Sequence, residues 1–229
     1  MAMQFPEIMA WMEGKSNEKD KAGMARFGIN TEKAYGISVA DLRKLASSIP
    51  KSHPLAMELW DSGMHEAMIL SSMLDEADKV SQEQMERQAL KFNSWDVCDQ
   101  VCMNLFCETP FARKKAQEWS KRREEFVKRA GFALMACLAT KESGAMDLAF
   151  VNFLDAIKRE SGDERNYVRK AINWALRQIG KRNAKLNRMA IKAAKGIAKM
   201  GSKSSKWVAK DALKELESPA VKRRLEGKA

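Results

Sequence analysis

The 229-residue sequence has no sustained alternation of apolar and polar residues, which argues against a core built on period-two strands. It holds only five prolines, and none interrupts a long apolar stripe. Pro6, Pro50, Pro54, Pro110 and Pro219 fall between candidate helices or in their first turns, where a missing N–H costs little. No linker rich in Pro, Gly or Ser separates two halves, so one continuous domain over residues 1–229 is expected. Long apolar runs are absent too. The most extended uncharged stretch of note, Ala130 to Thr140, is far too short to span a bilayer, and Met1 to Trp11 lacks the charged start of a secretory signal. A cytoplasmic protein with no membrane partner is the expectation. Cysteines number four, and Cys98, Cys102 and Cys107 lack a fourth Cys or His nearby. They are expected to be buried small side chains rather than metal ligands.

Charge of one sign is plentiful. Lys and Arg number 41 against 30 Asp and Glu, a net +11, which favours a polyanionic partner. The excess is uneven: up to Pro110 there are 11 basic and 17 acidic residues, net −6, and beyond it 30 basic and 13 acidic, net +17.

The apolar period is helical. Leu42, Leu45, Ala46 and Ile49, and likewise Ala171, Ile172, Ala175, Leu176 and Ile179, follow i, i+3, i+4, i+7 spacing. Gly14, Gly28, Gly36, Gly63, Gly144, Gly162 and Gly201 fall between periodic segments, and Ser38, Ser81, Ser94, Asp163 and Ser202 stand where N-caps are useful, which divides the chain into roughly a dozen helices. An Ala-Leu pair on an apolar stripe recurs at Ala133, Ala175 and Ala212, at offsets of 42 and 37. That spacing suits helix-pair repeats of the HEAT or armadillo kind, in which one helix of each pair lines a concave surface. An irregular helical bundle is the alternative.

Three segments carry candidate chemistry. Trp95 and Asp99 are four residues apart, so an indole and a carboxylate share one helix face. Lys170, Trp174, Arg177 and Lys181 form one stripe, an indole within a basic row suited to phosphates and sugars. Lys128 and Arg129 open an apolar helix. Most helical tryptophans are core, and Trp11, Trp60, Trp119 and Trp207 are expected there. Asp96, in a first turn, is explained by the helix dipole; Asp99, deeper in the helix, is not.

Ala34-Tyr35-Gly36-Ile37 followed by Asp41-Leu42-Arg43-Lys44-Leu45, then Leu59-Trp60-Asp61 with His65-Glu66, Trp95-Asp96-x-x-Asp99, Lys128-Arg129-Ala130 and the Tyr167 to Arg177 segment together resemble the AlkD-type DNA alkylation repair proteins, from about Ala22 to Leu213. The resemblance implies an all-α, HEAT-like helical-repeat solenoid whose concave basic surface holds duplex DNA. It also implies a monofunctional DNA glycosylase that removes alkylated purines without a cofactor or base flipping and with no obligate protein partner. By the resemblance, Trp95 and Trp174 match two indoles that contact the lesion's backbone and deoxyribose, Asp99 the catalytic carboxylate, and Arg129 a phosphate-binding arginine. Lys128, Lys170, Arg177, Lys181 and Phe27 complete the expected DNA-binding set. Phe27 departs from relatives with Tyr, so a hydroxyl is lost there. The alternative is a non-catalytic HEAT-like protein that binds DNA or other nucleic acid structures; a third is a helical scaffold for protein partners.

Overall fold

A computed structural model describes residues 3–141 and 147–227, so Gly144 lies outside the described residues. These residues form fourteen α-helices and one 3-10 turn, with no strand among them. The chain divides into two compact units, Met1–Pro110 and Phe111–Ala229, a boundary at the point where the sequence charge changes sign.

The first unit contains α1 (Phe5–Gly14), α2 (Glu18–Arg26), α3 (Val39–Ala46), α4 (His53–Asp61), α5 (His65–Leu74), α6 (Gln82–Leu90) and α7 (Trp95–Asn104), then the turn Phe106–Glu108. Ser38 and Ser81 cap α3 and α6 as their positions predict, and Asn17 and Ser52 cap α2 and α4; each such bond contributes about 1 kcal/mol. Ser94 flanks α7 but its hydroxyl donates to the Asp96 carboxylate at 2.6 Å instead of capping. The central helix is α5, packed against α3, α4 and α7 and buried over most of its length. Its Glu66, wholly buried, accepts the backbone N–H groups of Tyr35, Gly36 and Ile37 at 2.9, 2.7 and 3.1 Å. Gly36 sits at φ +84°, and a Cβ there would lie 2.4 Å from the Asn17 carbonyl oxygen, so the loop closes on α5 only with glycine.

The second unit contains α8 (Ala112–Trp119), α9 (Glu125–Lys141), α10 (Asp147–Glu160), α11 (Asn166–Gly180), α12 (Ala184–Ala198), α13 (Lys203–Leu216) and α14 (Pro219–Glu226). The three Ala-Leu segments fall on α9, α11 and α13, which pack in that order as one row, while α10 and α12 pack together beside it. The repeat is therefore structural: Ala133, Ala175 and Ala212 are all wholly buried. Helix α9 is covered on every side from Val127 to Ala139. It comes close to α8 because residue 131 is glycine; a Cβ there would lie 2.5 Å from the Ser120 nitrogen. Asn173 on α11 donates to the Val208 carbonyl of α13 at 3.1 Å, tying one pair to the next.

Two expectations are corrected here. Asp163 is not a cap, because α11 begins at Asn166 and the Asp163 carboxylate accepts instead from the backbone and guanidinium of Arg165. Trp60 and Trp119 are core, but Trp11 is only half-buried and Trp207 is 37% exposed. The Trp207 ring carries the Arg169 guanidinium over its face, 5.2 Å from the centroid.

Candidate functional site

In the first unit the N-terminus of α7 assembles three of the expected residues. Trp95 is the first residue of α7, half-buried, and its indole N–H donates to the Phe27 carbonyl at 3.1 Å. Phe27 ends α2 and leaves its ring 75% exposed. The contact made at position 27 is a backbone one, so the loss of a tyrosine hydroxyl leaves it intact. Asp99 lies one turn further along the same face and is 9% exposed. The indole is thus held at its edge on the helix face that also carries a largely desolvated carboxylate, whose electrostatic interactions are stronger than in water.

Asp96 is a structural partner of this turn. It is buried, and accepts from His65 Nε2 on α5 at 2.9 Å and from Ser94. Burial pushes its carboxyl up, but the bonds from His65, Ser94 and the Val97 N–H outweigh this and hold it below the ordinary carboxylate range. The pair locks the start of α7, and so the orientation of Trp95, to α5. The first-turn position of Asp96 suggested only a helix-dipole role; the His65 contact, 31 residues away in sequence, had no local signal.

In the second unit α11 carries the stripe Lys170, Trp174, Arg177 and Lys181. Lys170 is exposed and Trp174 half-buried. Arg177 Nη1 and Lys181 Nζ each meet one oxygen of Glu215 on α13 at 2.5 Å, and Arg177 Nε lies 3.8 Å from Asp211. Burial pushes the Glu215 carboxyl up, but Lys181 and Arg177 more than offset it and hold it low. The row is basic yet internally braced. Trp207, Asp211 and Glu215 follow each other at four-residue steps on α13 beside it, which is why Trp207 belongs to this surface rather than to the core. That spacing was available in the sequence as a signal.

The basic pair Lys128 and Arg129 is placed differently from expectation, for both are nearly covered, at 8% and 6% exposure. Lys128 Nζ meets Glu160 at 2.7 Å and Asp163 at 3.1 Å, so its charge is already matched. Arg129 Nη1 donates to the Tyr167 carbonyl at 2.6 Å, bracing the first turn of α11. Cys98, Cys102 and Cys107 are buried as expected. Among the described residues no cluster of His, Cys, Asp and Glu has the form of a metal site, and no helix is long and apolar enough to cross a membrane.

Comparison with known proteins adds three findings. A family model for DNA alkylation repair enzymes matches residues 8–216. An uncharacterized protein from Listeria innocua is 24% identical over 169 residues, 72% of this chain and 73% of that protein. A solved structure, described as a new family of proteins related to the HEAT-like repeat DNA glycosylases with affinity for branched DNA structures, superposes with a TM-score of 0.79 over 97% of this chain and 96% of that one, at 19% identity. At that identity the likeness is one of fold, and the fold is all-α and HEAT-like.

Proposed function

Because the chain belongs to the DNA alkylation repair enzyme family, we propose that it is a monofunctional glycosylase, hydrolysing the N-glycosidic bond of purines alkylated at ring nitrogen 3 or 7 in duplex DNA without flipping them. The observation that carries this reading is the α7 turn: an indole anchored through its N–H to the Phe27 carbonyl, with buried Asp99 on the same face. A pure DNA binder needs basic residues but has no use for a carboxylate directed at phosphates.

A purine alkylated at either nitrogen is cationic, so it departs as a neutral base, taking the electron pair of the glycosidic bond. No acid is needed for its departure. The developing positive charge lies on the sugar ring and C1′. An ionised Asp99 stabilises that charge and takes a proton from the water that adds to C1′, and the Trp95 face attracts the same charge through its quadrupole. Trp174 is assigned a backbone and deoxyribose contact. Lys170, Arg177 and Lys181 are assigned to phosphates, with the exposed Phe27 ring a further DNA contact. Arg129 enters chiefly as a positioning residue for α11, and any phosphate contact it makes uses the small part left uncovered.

Release of 7-methylguanine from methylated duplex DNA, leaving abasic sites in intact strands, tests the proposal. Asp99→Asn is expected to fold and bind DNA but to release base more slowly by roughly 30- to 1,000-fold, the loss of about 2–4 kcal/mol typical of one preorganised electrostatic group. Binding without release by the unaltered protein supports the alternative instead, a non-catalytic binder of DNA structures; the solved relative is described as having affinity for branched DNA.

A further inference from the structure

Helix α12 has two apolar stripes where a surface helix needs one. Leu186, Ala190, Ala194 and Ile197 are wholly buried and build the core. Met189, Ala193 and Gly196 follow each other at steps of four and three residues on a different face. Together with Val151 and Leu154 of α10 they line an open groove of about 530 Å³. Leu148, one turn before Val151 on α10, is 66% exposed and prolongs the apolar surface.

The rim of this groove is cationic. Lys158, Lys192, Lys195 and Lys199 border it, with Asp155 the one carboxylate. Lys195 meets Glu217 at 3.2 Å, whereas Lys158, Lys192 and Lys199 form no ion pair among the described residues. The glycine is the more telling feature. Glycine inside a helix costs about 1 kcal/mol relative to alanine, and packing does not demand it at 196, where a Cβ would make only ordinary contact with Lys158 Cε at 3.6 Å. What its missing side chain does is keep the groove open.

We propose that this groove docks a short acidic, amphipathic segment of another protein, its apolar residues on the floor and its carboxylates on the lysine rim. Charge complementarity selects an anionic partner, and the apolar floor favours a peptide over duplex DNA, which turns charged phosphates outward and keeps its bases stacked inside, leaving little apolar surface for Leu154 and Met189. The groove belongs to the α10 and α12 row, whereas Lys170, Trp174, Arg177 and Lys181 lie on α11 in the other row, so occupancy by the segment leaves those residues uncovered. The inference stands whether or not the protein is a glycosylase.

The probe is a fluorescein-labelled helical peptide with leucines spaced three and four residues apart and glutamates between them, titrated with the full chain by anisotropy. Binding is expected to weaken at least tenfold when serine replaces the leucines. It is expected to weaken as much in Gly196→Leu, which fills the groove from a partly solvent-facing position, and in the double variant Lys192→Glu with Lys199→Glu. Binding of undamaged duplex DNA is unchanged in Gly196→Leu. No binding of the leucine peptide, equal binding of the serine peptide, or indifference to Gly196→Leu overturns the proposal. So does displacement of the peptide by undamaged duplex together with loss of duplex binding in Gly196→Leu, which would make the groove a nucleic-acid surface.

Discussion

Glu215→Gln is expected to tighten DNA binding, the opposite of what removing most surface groups does. Glu215 holds Arg177 and Lys181 at 2.5 Å each, and Asp211 lies 3.8 Å from Arg177, so these two cations of the stripe face two carboxylates of α13. A phosphate that engages Arg177 or Lys181 competes with Glu215. Opposite unit charges 4 Å apart interact by about 1 kcal/mol in bulk water and about 4 kcal/mol at an effective dielectric of 20. With the Glu215 side chain 29% exposed, the lower part of that range applies, about 1–2 kcal/mol. Glutamine keeps the shape and one acceptor but removes the charge. Affinity for undamaged duplex at 50 mM salt should then rise by roughly 5- to 30-fold. Every further phosphate that the freed cations neutralise adds about 0.9 to the slope of log affinity against log salt, so the variant's line should be steeper by about 1 to 2. Because Glu215 is held below the ordinary carboxylate range, the gain should be the same at pH 6 and pH 8. Anisotropy titrations at 50, 100 and 200 mM salt measure it. An unchanged affinity and slope would refute a phosphate role for Arg177 and Lys181.

Three further outcomes test the packing. Gly131→Ala places a methyl carbon 2.5 Å from the Ser120 backbone and should destabilise by roughly 3 kcal/mol or more, seen as a lower urea midpoint; a change under about 1 kcal/mol would mean that α8 moves freely relative to α9. Trp60→Ala should cost about 3–5 kcal/mol, while Trp207→Ala, at a partly exposed site, should cost far less; equal losses would contradict the surface placement of Trp207. Burial pushes the Asp163 carboxyl up, but Arg165 and Lys128 hold it at about 2, below its ordinary value of 3.8, so it stabilises the fold at all pH values above about 4 and loses that contribution as pH falls through 2. The stability difference between the unaltered protein and Asp163→Asn should therefore shrink steadily between pH 5 and pH 2; a constant difference would exclude the ionised Asp163 as its source.

Local sequence was enough for the helical architecture, because a 3.6-residue apolar period and serine caps act over a few residues and need no partner elsewhere. The Ala-Leu recurrence likewise identified α9, α11 and α13 as one packed row, since a buried stripe must be small and apolar wherever helices stack. The division at Pro110 was not read from the sequence: the charge changes sign there, but with no Pro, Gly or Ser-rich linker one continuous domain was expected, and two compact units come only from how the helices pack. The shared face of Trp95 and Asp99 also followed from spacing alone. What side chains do across helices did not. Lys128 and Arg129 read as a DNA-facing pair until Glu160, Asp163 and the Tyr167 carbonyl enclosed them. Trp207 read as core until its neighbours left it in reach of Arg169. The Glu66 carboxylate gathering three N–H groups, His65 locking Asp96, and Glu215 bracing Arg177 and Lys181 join residues about 30 to 40 apart in the chain. Such contacts depend on how helices are set against one another, so tertiary structure alone decides which charges are free to meet a ligand and which are already held.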